Sequence, residues 1–423
     1  MLNRTISPEI PKPEKISIPE PEITTLENGI PLFKVNLGTQ DVIKVELVFD
    51  AGINYSTAPL IANATNDMLD EGSGIYSSAQ IAEMLDMYGA YFQTDCGNDF
   101  ASVTLYSLSK FIDQTLPIFN TIVSEPNFDK NEISTFAIQG KQRLAVSLNK
   151  VDFLARRNFL NSIYGENTIV GKMVKAEHYD ALNHDTLSNF YNDRYKKGLK
   201  AVVVAGKFTN ENIESIKSLI KSLGFSKNDS TNINSEIILN PEKIYITKKD
   251  SVQSAIRIGK KMFNRKHPDY FSFSILNTVL GGYFGSRLMS NIREDKGYTY
   301  GIGSGLATNL KDGYFFISTE VGSDVCKDAI KEIYFETERL RNEKIPTDEL
   351  RLVKNYLFGA FQRSIDGPFA QADRQKSLYL NSLTNSHLEQ YLTILAEITP
   401  EKLLECAQKH LDQSLFTEVV VGP

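Results

Sequence analysis

The sequence predicts an α+β protein of two homologous domains, each a mainly antiparallel sheet packed against helices. Three observations lead there. The chain has 423 residues, too many for one ordinary hydrophobic core and suited to two domains of roughly 200 residues each. Runs with the period-two alternation of strands are interleaved with runs at helical spacing. The second half then repeats the order of the first. On this reading 1–26 is an extended N-terminal arm, 27–223 the first domain, 224–241 a linker and 242–423 the second domain.

The first domain opens with a strand pair, Ile30 to Asn36 and Val42 to Asp50, rich in Val, Ile, Leu and Phe. A helix is expected from Pro59 to Asp70, because Leu60, Ile61, Ala64, Met68 and Leu69 share one side, with Gly72 as its stop. Ser77 or Ser78 caps a second helix that runs through Met87 and stops at Gly89. Strands follow at Tyr91–Thr94 and Ala101–Leu108, then helices near Phe111–Ser124 and Lys130–Lys150, and a short buried strand, Ala201–Gly206. The polar stretch around Gly224–Ser235 has no periodicity and reads as the linker.

The second domain begins with strands at Lys243–Thr247 and Gln253–Lys260 and a helix around Tyr270–Leu280. A glycine-rich turn, Gly281 to Gly285, leads to a helix with Arg287, Leu288 and Ile292. Strands are expected at Tyr298–Ser304 and Gly313–Val321. The segment SLSKFIDQTLPIFNTIVSEPNFDKNEI of the first half parallels VGSDVCKDAIKEIYFETERLRNEKIPTDEL of the second. Each holds an amphipathic helix, a proline turn and a second helix opened by an acidic residue. The final strand, Phe416 to Val421, echoes the valine strand that closes the first half.

Composition excludes several classes. Lys and Arg number 46 against 52 Asp and Glu, for a net charge of −6. They are scattered, whereas a nucleic-acid partner requires a basic surface. No run of 18 apolar residues is present, so no membrane-spanning helix is expected. The three cysteines, Cys96, Cys326 and Cys406, are far apart and lack CxxC spacing, which argues against a disulfide framework or zinc ribbon. The start of the chain is dotted with prolines and has no apolar signal-peptide core. The expected location is the cytoplasm of a bacterium.

An ordered set of segments carries a family resemblance: LENGIPLFKVNLGTQDVIKVELVFDAG, YGENTIVGK, LSNFYNDRYKKGLKAVVVAGKF and LGGYFGSRLMSNIREDKGYTYGIGSG. Together they cover nearly the whole chain. The chain resembles the pitrilysin and insulysin family of zinc peptidases, which includes the mitochondrial processing peptidase. Catalytic members carry His-x-x-Glu-His on the first helix of the first domain, where two imidazoles one turn apart bind zinc and the glutamate activates the metal-bound water. Here the matching positions are Asn63, Asn66 and Asp67. The chain has five histidines, none before His178. Around the expected third ligand, Gln139 to Asn149, no acidic side chain occurs.

An asparagine offers a weak neutral oxygen in place of an imidazole nitrogen and cannot serve as a general base. One carboxylate, Asp67, cannot hold zinc alone. The expectation is no metal and no cofactor in this chain, with Asn63, Asn66 and Asp67 reduced to a polar helix face. A hard-cation site from Asp67, Asp70 and Glu71 is the minor alternative.

Active members also use an arginine and a tyrosine seven residues apart, and Arg293 and Tyr300 meet that spacing. The resemblance implies that the arginine holds substrate backbone and the tyrosine hydroxyl steadies the oxyanion. From the residues alone, Arg293 beside Glu294 and Asp295 reads as decorating a helix end and Tyr300 as an ordinary strand aromatic; the family context turns the reading to function. Gly281, Gly282 and Gly285 read as a tight turn, since no phosphate-loop pattern follows them. His178 and His184, six apart, suit surface or capping roles.

The resemblance implies a non-catalytic partner subunit of a heterodimeric zinc metallopeptidase. Zinc would sit in a homologous, motif-bearing chain, and a peptide would be the substrate. The alternative is a metal-free structural or peptide-binding scaffold.

Overall fold

A computed structural model describes residues 20–227 and 240–423. Most of the expected arm and linker, 1–19 and 228–239, therefore lies outside the described residues. The first unit contains β1 (Glu22–Thr25), β2 (Pro31–Asn36), β3 (Val42–Phe49), α1 (Ile61–Asp67), α2 (Ser78–Met87), β4 (Tyr91–Cys96) and β5 (Ala101–Leu108). It continues with α3 (Ile112–Ser124), α4 (Lys130–Ser147), α5 (Val151–Tyr164), α6 (Ala176–Asp180), α7 (His184–Arg194), β6 (Leu199–Gly206) and α8 (Asn210–Leu223). The second unit contains β7 (Lys243–Thr247), β8 (Gln253–Met262), α9 (Tyr270–Asn277), β9 (Ile302–Thr308) and β10 (Gly313–Gly322). It ends with α10 (Cys326–Asn342), α11 (Thr347–Arg363), α12 (Gly367–Leu380), α13 (Asn385–Glu397), α14 (Pro400–His410) and β11 (Thr417–Gly422).

The α+β fold is as expected, and the duplication is visible in strand order. The first sheet runs β1-β2-β6-β3-β5-β4 and the second β7-β11-β8-β10-β9. Leaving out the extra edge strand β1, the two orders match position for position. In each, one pair is parallel, β2 with β6 and β7 with β11, and the other pairs are antiparallel.

Local chemistry sets the boundaries. Ser77 caps α2 with its side chain accepting from Gln80 N–H, while Gln80 reaches back to the Ser77 backbone. The helix expected over 59–70 is shorter: Leu60 adopts a left-handed φ of 72°, so winding starts at Ile61 and stops after Asp67. The strand expected from Tyr298 begins only at Ile302. Around the glycine-rich turn, residues Thr278–Gly282 and Met289–Asp295 wind as π-helical turns, a form that occurs mostly as single-turn bulges at functional places.

The two units share their coverings. Helix α5 of the first unit lays Val151, Ala155 and Phe159 on Ala255, Val419 and Val421 of the second sheet. Helix α12 of the second unit puts Ala372 against Phe33, Val35, Val48 and Val203 of the first sheet. The other face of each sheet packs on its own unit's helices. Strand β3 is consequently buried on both faces, including Lys44 and Glu46. These two charges, on the same strand face at i and i+2, meet Asp373 and Lys376 of α12. The pairs are Lys44–Glu46 at 2.9 Å, Lys44–Asp373 at 2.7 Å, Glu46–Lys376 at 2.7 Å and Asp373–Lys376 at 3.1 Å. The result is a closed ring of four alternating charges, which meets the requirement that buried charges be paired.

Candidate functional site

The sequence leads to two places. The first is α1. Asn66 is fully buried, and its Oδ1 accepts a hydrogen bond of 2.7 Å from the hydroxyl of Tyr195. Tyr195 follows α7, is itself fully buried, and packs against Phe49 and Tyr191 at ring separations of 4.7 and 5.7 Å. Burial holds its phenol well above the usual range, so the hydroxyl stays protonated and donates. Where an active relative needs a general base, this chain has a neutral amide tied into the core.

Asp67, the last α1 residue, is exposed. Partial desolvation raises its carboxyl; Arg143 on α4 opposes that shift and Asp95 on β4 adds to it. Arg143 falls in the segment where the third zinc ligand is expected, so a cation faces the one carboxylate left. Asp70 is pushed up to about 6, first by burial and then by Glu71 and Asp67. Cys96, beside Asp67 and Asp95, is pushed up to about 12, mainly by burial, which keeps it a thiol. Among the described residues no three or more His, Cys, Asp or Glu side chains are placed to hold a metal ion. Two neutral amides and one carboxylate on α1 are a donor set that does not fit zinc.

The second place is the turn after the π-helical segment Met289–Asp295. Leu288 and Ile292 bury one side of that segment. Arg287 anchors it with a two-pronged bond to Glu349, both contacts 2.9 Å. Gly297, at φ 66°, reverses the chain, and the peptide returns so that Arg293 Nε donates to the Tyr300 carbonyl at 3.0 Å. The Arg293 guanidinium lies over the Phe284 ring, 4.8 Å from its centroid. The structure thus brings Arg293 and Tyr300 together. The Tyr300 side chain is 97% exposed, which rules out an ordinary strand aromatic. It stands over a cleft of about 520 Å³ lined also by Gln253, Glu294, Tyr298 and Glu320. An adjoining hollow of about 400 Å³ extends past Thr319 to Asp152 of α5. No α1 residue lines either space.

A phenol freely presented to a cleft can donate to an anionic or carbonyl oxygen of a bound molecule. A guanidinium behind it, with its Nε already engaged, fixes the turn and adds positive potential. His178 caps α6, its Nδ1 accepting from Lys175 N–H, and His184 opens α7. Sequence reasoning missed Tyr195 and Arg143, because nothing in their local pattern signals a partner on another element. It also missed Thr299 and Thr319, which hold the Tyr300 turn.

A two-unit α+β architecture, a first helix without the zinc-binding residues and an exposed Arg/Tyr turn agree with the family resemblance read from the sequence. Residues 181–357 match the family model described as the peptidase M16 inactive domain. The pitrilysin-family resemblance read from the sequence is thereby supported over that segment. The chain is 21% identical to the uncharacterized zinc protease YmxG of Bacillus subtilis over 93% of this chain and 95% of that protein. It is likewise 21% identical to the non-peptidase homolog YmxG of Helicobacter pylori, over 57% of this chain and 56% of that one. The crystal structure of a peptidase M16 inactive domain from Pseudomonas fluorescens superposes with a TM-score of 0.87 at 23% identity, covering 95% of this chain and 98% of that one. Among the described residues no helix is long and apolar enough to cross a membrane.

Proposed function

We propose that this chain is the metal-free subunit of a two-chain zinc metallopeptidase and contributes Arg293 and Tyr300 to peptide-bond hydrolysis. The observation that carries the reading is the Arg293–Tyr300 turn. A tyrosine that is 97% exposed, on a backbone carbonyl held by an arginine, is arranged to act on something outside its own chain. The first helix supplies no metal, so the hydrolytic water belongs to the zinc site of a homologous chain.

In the assembled pair the peptide lies extended in the space between the chains. Strand β4, at one end of the first sheet's order, offers an edge that is unpaired among the described residues and of the kind that takes up an extended segment. Arg293 bears on substrate backbone. The Tyr300 hydroxyl donates to the carbonyl oxygen as negative charge develops there. The N–H and C=O groups along an edge read backbone more than side chains, which suits a peptidase of broad sequence tolerance.

The test is co-expression with a His-x-x-Glu-His homologue from the same genome, with a quenched fluorescent peptide as substrate. Activity found only in the mixture and abolished by a chelator supports the reading. The second reading, a peptide-holding scaffold without catalysis, is favoured by the non-peptidase description of the Helicobacter pylori relative. It gains if the two chains form a complex that turns over no faster than the zinc chain alone.

A further inference from the structure

We infer that Thr319, with Thr299, is a positioning residue for Tyr300, an inference that rests on the reading of Tyr300 given above. The Tyr300 side chain is almost fully exposed and no hydrogen bond holds its hydroxyl among the described residues, so its location depends on its backbone. That backbone is clamped from two sides. On one side Arg293 Nε holds the Tyr300 carbonyl, and Tyr298 N–H donates to Ile292 O at 3.0 Å, tying the turn to the helical segment. On the other side stands a pair of hydroxyls. Thr299 Oγ1 accepts from Gly301 N–H at 3.1 Å and lies 2.7 Å from Glu320 O and 2.9 Å from Gly301 O. Thr319 is buried on β10, with its Oγ1 2.9 Å from Thr299 Oγ1 and 3.0 Å from Gly301 O.

The two hydroxyls carry one proton each and serve several acceptors. The arrangement that serves most of them has Thr319 donating to Thr299 Oγ1 and Thr299 donating to Glu320 O, with Gly301 N–H closing the chain. Thr319 faces Ile302 across the β9–β10 ladder, one residue beyond the last bond of the clamp. The hydroxyl pair therefore joins the irregular residues 298–301 to the rigid sheet and does the work of ladder bonds that this segment does not make. A valine would keep the shape of Thr319 and delete the bond. The turn, and the phenol with it, would then shift relative to a substrate held by the other chain. Rates are sensitive to such displacement, with about 1 Å costing on the order of a hundredfold.

The experiment uses the reconstituted pair with Thr319→Val, Thr319→Ser, Thr299→Val and Tyr300→Phe. We expect Thr319→Val and Thr299→Val each to lower kcat by roughly tenfold or more with KM nearly unchanged. Thr319→Ser, which restores the hydroxyl, keeps kcat within about twofold. In a Tyr300→Phe background Thr319→Val adds no further loss, because what it positions is already gone. Hydrogen exchange at the Gly301 amide of the isolated chain should accelerate in Thr319→Val and not in Tyr300→Phe, which reads the clamp without the partner. Full turnover in both threonine-to-valine variants, where Tyr300→Phe is impaired, overturns the inference and leaves the role of Tyr300 standing. A Tyr300→Phe pair with normal turnover overturns both.

Discussion

The hydroxyl of Tyr195 donates to Asn66 Oδ1 across 2.7 Å in the core of the first unit. This bond occupies the place where an active relative carries its general base. Tyr195→Phe leaves that oxygen buried without its donor, a defect of about 1–3 kcal/mol. Urea unfolding followed by circular dichroism should show a lower midpoint for Tyr195→Phe, while Tyr300→Phe, on the surface, leaves the midpoint within error.

Restoring the motif should not restore the metal. Asn63→His, Asn66→Glu and Asp67→His together place a carboxylate against the Tyr195 hydroxyl in a buried site, and Arg143 still occupies the region of the third ligand. Metal analysis after dialysis should find the triple variant without stoichiometric zinc. Stoichiometric zinc in the triple variant would show that the site is more adaptable than this packing implies.

Asp70 has a carboxyl raised to about 6 against an ordinary value of 3.8. The folded state therefore holds its proton more tightly than the unfolded state. The stability this lends is complete below about pH 4 and is lost as pH rises through about 6. Asp70→Asn removes the burial cost of the charge. It should be more stable than wild type at pH 7, with the advantage fading as pH falls toward 4, as followed by thermal melts across that range.

Glu46→Ala breaks the four-charge ring and leaves Lys44 and Lys376 with Asp373 as their remaining partner in it. Removing one member of a buried ion pair typically costs about 3–5 kcal/mol. Chemical denaturation should show a loss of that order. A loss below about 1 kcal/mol, the range of surface pairs, would mean that water entering beside the half-exposed Asp373 screens the whole ring.

That ring also shows where the sequence could be read and where it could not. The order of strands and helices, the duplication and the α2 cap were legible, because period, capping residues and the repeated helix pair are local signals. Strand β3 reads as half-buried, since Lys44 and Glu46 alternate with Ile43, Val45 and Leu47. Both of its faces are buried, because α12, more than three hundred residues further along, brings Asp373 and Lys376 to those charges. Arg293 and Tyr300 were legible through their spacing and context. The clamp at Thr299 and Thr319 was not, because it replaces ladder bonds in a segment that reads as ordinary strand.

Turnover by the reconstituted pair carrying Tyr300→Phe or Arg293→Ala, with complex formation verified by gel filtration, tests the catalytic contribution of this chain. Intact complexes are expected, with kcat lowered roughly a hundred- to a thousandfold for Tyr300→Phe, the usual cost of one oxyanion donor. Complexes that form normally and hydrolyse peptide at the wild-type rate in both variants would contradict that contribution and leave the scaffold reading in its place.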